Sequence, residues 1–333
     1  MDMKNTKTAV IVMLILANLF FIYNIFNLKI KSENIPDETI SDAVNILEKS
    51  GFIIDREKVP VKKPGNVTYE GVYSQDIFVE IVKNFSGISE DELKNSDMIV
   101  PGGISYVAGD YQFISSNLSN LSNSSNADYF KISIIETSYI ERLKGFSSVN
   151  PDTGKTELEE ETAEKIIMLS ENGMSGVQKS DKKKSEKIIK DFMKKYQNQD
   201  VKLGFEITGF IKDTAKNCDC VLINQTVDGL SVSANTAYIE IYGGEVKYFS
   251  GEWYFGEFIA KYSMPLLDSV NILFKCMESD GSIIQESGKL TDMSLEYTVI
   301  HHDTEGFYLV PSWQITFDSG KKFSYNMITG GKN

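Results

Sequence analysis

Val221-Leu222-Ile223-Asn224-Gln225-Thr226-Val227-Asp228-Gly229-Leu230-Ser231-Val232 decides the architecture of this chain. A run rich in β-branched side chains meets Asp-Gly, a dipeptide that accepts positive φ and so suits a two-residue hairpin turn, and then resumes as strand. Working outward, residues 201–211, 237–242 and 245–250 alternate in the same manner, with Gly243-Gly244 as a second hairpin turn. A sheet of such hairpins needs cover for its apolar face. Residues 181–196 supply a helix before it, with Ile188, Ile189, Phe192 and Tyr196 inward, and Pro265 in a first helical turn starts another carrying Leu266, Leu267, Val270, Leu273, Phe274 and Met277 on one face. After Gly281 come strands at 294–301, 307–317 and 322–328, the last two joined through Asp318-Ser319-Gly320. Helix followed by strand meander thus occurs twice, at 181–252 and 265–329, which implies a duplicated unit. The expected class is α+β, antiparallel sheets with helices packed on one face.

Upstream, the turn-rich residues 144–155 set the expected boundary between an N-terminal α+β module, 37–145, and a C-terminal α+β region, 156–330. Thr156 and Glu159 form a capping box that opens a helix with Leu158, Ala163, Ile166, Ile167 and Leu169 toward the core. In the N-terminal module Asp37 is expected to cap a helix with Ile40, Ala43, Val44 and Leu47 on one face and Gly51 as its left-handed end. Strands at 52–59 and 67–73 and a helix at 76–85, with Ile77, Ile81, Val82 and Phe85 inward, follow. Strands at 104–116 and 129–135 are joined by the Ser/Asn-rich tract 115–126.

Residues 9–28 carry no charge, and about 20 helical residues cross the ~30 Å hydrocarbon layer. A cleaved signal peptide would have an apolar core of about 7–15 residues and a small-x-small site, whereas this core is longer and runs into Asn27-Leu28-Lys29-Ile30-Lys31. The expected layout is a cytoplasmic stub, 1–8, a transmembrane helix, 9–28, a linker, 29–36, and an extracytoplasmic bulk. Lys4, Lys7 and the terminal amine nearly balance Lys29 and Lys31, so the shortness of the N-terminal tail orients the span. Asn18 and Asn24 place amides inside it, and such groups bond either to partner helices or back to their own helix. They are the candidate partner contacts.

The formal charge of −13, from 47 acidic against 34 basic residues, disfavours nucleic acid and anionic lipid surfaces as partners. Lysines 182, 183, 187, 190, 194 and 195 form one outer helix face, which suits either a docking patch for an acidic partner or, as is more usual for such a run, a solvated face. Ser180-Asp181-Lys182-Lys183 and Ser319-Gly320-Lys321-Lys322 fit S-x-x-K, but S-D-N and K-T-G are absent. There is no G-x-S-x-G, P-loop or Rossmann glycine run, and His301 and His302 are the two histidines. Glu157, Glu159, Glu160 and Glu161 sit in a helix's first turn, where the dipole favours negative charge. Cys218 and Cys220 share a strand face, and Cys276 with His301-His302 could complete a metal shell. The C-x-C spacing and adjacent histidines match zinc poorly, so buried free thiols, or one bridge from Cys276, are expected. No enzyme and no cofactor is implied.

Tyr308-Leu309-Val310-Pro311-Ser312-Trp313-Gln314-Ile315 and Phe323-Ser324-Tyr325-Asn326-Met327-Ile328-Thr329-Gly330 resemble the closing strand pair of the YycI family, which ends "h-P-A-W-x-I … y-h-N-A-h-T-G-E". Residues 224–232 are similar to the "Q-x-x-x-G-h-P-h" stretch of YycI and PepSY-like sheets. Ser312 stands where Ala is usual and Gly331 where an acid is usual. Pro311, Trp313, Asn326 and Gly330 are the motif residues, expected to pack rather than react. The resemblance, clearest over 180–330, implies duplicated PepSY-like units and a membrane-anchored regulator of a cell-wall sensor histidine kinase, acting with a YycH-like sister protein. It carries no catalytic residues. An anchored cell-wall enzyme or protease inhibitor, and a structural envelope or sporulation component, are the competing readings.

Overall fold

Both hairpin turns form with the backbone their residues favour: Asp228 and Gly229 have φ of 50° and 81°, Gly243 and Gly244 of 62° and 85°. The computed structural model describes residues 34–62, 67–72, 75–87, 98–100, 103–116, 131–140, 157–174, 177–194, 203–254, 258–262, 266–301 and 306–333. The stretch 9–28, with Asn18 and Asn24, lies outside the described residues. Among the described residues no helix is long and apolar enough to cross a membrane.

The elements in chain order are α1 (Asp37–Lys49), β1 (Ile53–Ile54), β2 (Val67–Val72), α2 (Gln75–Ser86), β3 (Met98–Val100), β4 (Gly103–Ala108), β5 (Tyr111–Ser116) and β6 (Lys131–Glu136). They continue as α3 (Thr137–Ile140), α4 (Glu157–Asn172), α5 (Lys179–Met193), β7 (Leu203–Asp213), β8 (Cys218–Val227), β9 (Leu230–Tyr242) and β10 (Glu245–Glu252). The last are β11 (Ile259–Tyr262), α6 (Ser269–Ser287), β12 (Lys289–His301), β13 (Gly306–Phe317) and β14 (Lys322–Asn326). The class is α+β, as expected.

The compact units are interleaved along the chain instead of following one another. Among the described residues, a terminal unit takes those from 34 to 62 together with those within Tyr262–Leu295 and Pro311–Asn333, and a sheet unit takes those within Val67–Lys261 and Glu296–Val310. Residues 144–155, the expected boundary, lie outside the described residues. α1, assigned from the sequence to an N-terminal module, shares its core with α6 and β12–β14.

In the sheet unit the strands run β7-β8-β9-β10-β6-β5-β4-β3, every neighbouring pair antiparallel. Helices cover both faces, which corrects the expectation of one. Val221, Ile223, Ile239 and Phe249 pack with Phe78, Val82 and Phe85 of α2 and with Ile189 and Phe192 of α5. Cys220, Leu222, Tyr238 and Tyr248, one residue out of step on the same strands, pack with Tyr139 of α3 and with Leu158 and Leu169 of α4. Side chains on both faces of β8 are buried, so both need cover.

In the terminal unit β1 pairs parallel with β12 through Ile53↔Lys289, β13 pairs antiparallel with β14, and Ile40, Leu47, Ile272, Leu273, Trp313 and Tyr325 meet in one core. Residues 52–59 form only the short β1, because Asp55 accepts a bond from the Glu57 amide (3.1 Å) and turns Arg56–Lys58 into a 3-10 helix. Residues 104–116 are two strands, β4 and β5, folded back at Gly109, whose φ is 58°. α6 begins at Ser269 instead of Pro265, capped by Asp268 Oδ1 on the Asn271 amide (2.9 Å), and passes Gly281 with a bend at Asp280. At α1, Pro36 occupies the cap and Asp37 the first turn, while the four inward residues are buried as expected.

Candidate functional site

In α4 the inward face differs from expectation in a way that exposes the chemistry of the unit. Ala163 and Ile167 point to solvent, and Thr162 and Lys165 turn inward between Leu158 and Leu169. Lys165 Nζ lies 3.1 Å from Glu240 Oε1, 3.2 Å from Glu161 Oε1 and 3.5 Å from Asp213 Oδ2. The Lys165 side chain is 14% exposed and that of Glu240 2%, so this pair is charged in a nearly dry setting.

Strand alternation supplies the rest. Tyr238 and Glu240 of β9 and Cys218 and Cys220 of β8 face the same side as α4. Tyr139 of α3 donates to Glu240 Oε2 at 2.9 Å, and the Tyr238 hydroxyl lies 2.6 Å from Glu240 Oε1 and 3.1 Å from Cys220 Sγ. The single phenolic proton can serve only one of these acceptors at a time. Cys220 Sγ is 3.8 Å from Cys218 Sγ, and Lys216 extends the array to Glu161 at 2.7 Å. Asp213 Oδ1 accepts the Ala215 and Lys216 amides, both at 3.0 Å, which closes the β7–β8 turn. Carboxylate, ammonium and phenol hydrogen bonds thus join α3, α4, β7 and β9, so the centre acts as a clasp that seats α3 and α4 on the sheet.

Burial works against the Lys165 ammonium, but Glu240, Cys220 and Glu161 outweigh it and hold its pKa above the ordinary lysine value. The Cys218 thiol is pushed up by its bond to Cys220 and by burial. Cys220 is drawn down by the same bond, against burial, with Tyr238 and Lys165 helping. Burial raises Glu161, but Lys216 and Lys165 bring it below its usual 4.5, and the Lys216 amide takes Asp213 below 3.8. Both carboxylates therefore add stability that is complete above those ordinary values and is lost as pH falls through the lowered ones. Glu161→Gln is expected to flatten the acid limb of a stability-against-pH curve below about pH 4.5 while leaving its alkaline limb unchanged. A series of urea unfolding curves across that range checks it.

The motif residues at the C-terminal end are brought together, and they do structural work. Met327 donates its amide to the Pro311 carbonyl (3.1 Å), and Trp313, 1% exposed, donates its indole N–H to the Leu267 carbonyl (3.3 Å). Asn326 Oδ1 accepts the Ile328 and Thr329 amides, and Gly330, at φ 73°, leaves no room for a Cβ against Lys275 (2.9 Å). Cys276 is buried in the terminal unit with its thiol pushed up to about 12 by desolvation, and all three cysteines are free, so the bridge allowed by the sequence is not made. A cavity of about 10 Å³ between Phe52, Ile54, Leu273, Cys276, Ile284 and Phe317 has room for one water at most.

Lys165, Asp213, Tyr139, Tyr238 and Glu240 are absent from the sequence-derived candidates. A signal existed in Glu240, an acid within the apolar strand Tyr238-Ile239-Glu240-Ile241-Tyr242 on the face of two tyrosines, since a carboxylate there needs a partner. Glu161, which the sequence explains by the helix dipole alone, also pairs with two lysines.

No protein-family model matches the chain, and no curated protein does. Among solved structures it is similar to the crystal structure of an uncharacterized protein from Eubacterium rectale ATCC 33656, with a TM-score of 0.37 and 12% identity over 84% of this chain and 88% of that one.

Proposed function

We propose that this chain is a single-pass membrane regulator that modulates a sensor histidine kinase of cell-wall homeostasis, with a YycH-like sister protein as second partner. The uncharged stretch 9–28, bearing Asn18 and Asn24, carries the reading, because it tethers the remainder at a bilayer and offers amides to neighbouring helices. The C-terminal strand pair adds support: Pro311, Trp313, Asn326 and Gly330 occupy packing and turn positions that suit a YycI-like ending. So does the recurrence of a helix before a run of adjacent strands, α5 with β7–β10 and α6 with β12–β14, as expected of duplicated PepSY-like units. The mechanism is population shift: the regulator binds one kinase conformation better than the other and moves the balance by that difference in affinity.

Crosslinking from position 18 in living cells tests this. Capture of a histidine kinase supports the reading, whereas a processed soluble form lacking residues 9–28 overturns it. Asn18→Leu is expected to leave membrane insertion intact. An interhelical amide bond contributes about 0.6–2 kcal/mol, so co-purification with the partner should weaken roughly 3- to 30-fold. Unchanged co-purification removes Asn18 from the interface.

A further inference from the structure

We infer that the β7–β8 end of the sheet unit is a binding site for one thiophilic divalent cation, zinc being the biological representative, held by Cys218, Cys220 and Asp213. The three residues offer two sulfurs and a carboxylate oxygen that all lie within 4.8 Å of one another. Two thiolates bound at about 2.3 Å in a tetrahedron sit about 3.8 Å apart, and the two sulfurs already stand at 3.8 Å. Strand geometry produces this: residues two apart on β8 share a face, and Asp213 is the register partner of Cys218 on β7. A zinc-bound oxygen at about 2.0–2.2 Å lies about 3.5 Å from each sulfur. Closing to that distance requires the turn that holds Asp213 to move together with its carboxylate.

The surroundings suit the ion. Asp213 Oδ1 is fixed by the Ala215 and Lys216 amides, as carboxylate ligands are by their outer partners. Two thiolates and one carboxylate around a divalent cation leave one negative charge, which faces the Lys165 ammonium 3.5 Å from Asp213. Binding would release the two thiol protons to solvent. The Asp213 side chain is 21% exposed beside the turn of residues 214–217, whereas both sulfurs are buried. Two protonated thiols in contact would keep the same separation, so a metal readout decides.

The full chain, purified in detergent, reduced and stripped of metal, is titrated with cobalt(II). The expected result is one equivalent bound with a thiolate-to-cobalt charge-transfer band that zinc abolishes by displacement. The band should vanish in Cys218→Ser and Cys220→Ser, weaken at least tenfold in affinity in Asp213→Asn, and persist in Cys276→Ser. No charge-transfer band on the wild-type chain overturns the site, as does a band that survives loss of both Cys218 and Cys220. If the serine variants do not fold, the wild-type spectrum alone decides between a bound ion and two protonated thiols.

Discussion

Glu240→Leu is expected to lower the unfolding free energy of the sheet unit by about 3 kcal/mol, the lower end of the range for removing one partner of a buried ion pair. The lower end applies because Lys165 keeps Glu161 at 3.2 Å and Asp213 at 3.5 Å. The upper part of the loss comes from Tyr139 and Tyr238, whose hydroxyls both bond to this carboxylate. Each lost bond costs about 1 kcal/mol, and more where water cannot replace it. Adding Lys165→Met should restore part of the loss: it removes the ammonium left without Glu240, Glu161 keeps Lys216 at 2.7 Å, and Asp213, 21% exposed, gives up its lysine but keeps the Ala215 and Lys216 amides. Each unit has one tryptophan, Trp253 in the sheet unit and Trp313 in the terminal unit, so urea unfolding followed by Trp253 fluorescence in a Trp313→Phe background reports the relevant transition. A change within about 0.5 kcal/mol of the parent would mean that the clasp adds nothing.

Trp313→Ala should destabilise the terminal unit by about 3–5 kcal/mol, the usual cost of deleting a large buried aromatic. Trp313 is among the largest fully buried side chains, and it ties β13 to the Leu267 carbonyl ahead of α6. Trp313→Phe retains most of the volume and forfeits the indole bond, so a loss nearer 1 kcal/mol is expected. Circular dichroism during urea unfolding separates the two variants. Should Trp313→Ala leave stability unchanged while weakening capture of a membrane partner, the residue would belong to an interface and the packing role would fail.

The motif that carries the family resemblance is thus a set of packing and turn positions, and the titratable centre lies elsewhere. Pro311, Trp313, Asn326 and Gly330 close this strand pair through a backbone bond, a buried indole, a side-chain turn and a positive φ. Their roles speak to architecture, and the regulatory proposal leans on residues 9–28 for its location.

Local chemistry along the chain was enough to determine the Asp228-Gly229 and Gly243-Gly244 turns, the strands on either side of them, and the buried stripes of α1, α2 and α5. Of the α2 and α5 stripes this holds for Ile81, Val82, Phe85, Ile189 and Phe192; these features follow from positive φ and from the periods of 2 and 3.6, which involve residues only a few positions apart. Tertiary structure alone decided that β6 lies beside β10, that β1 joins β12, that both sheet faces are covered, and that α1 belongs with the C-terminal strands. It also decided that Lys165, Asp213 and Glu240 meet. Such neighbours are separated by tens of residues, and their pairing is set by which apolar faces can be buried together, a property no short window of sequence contains.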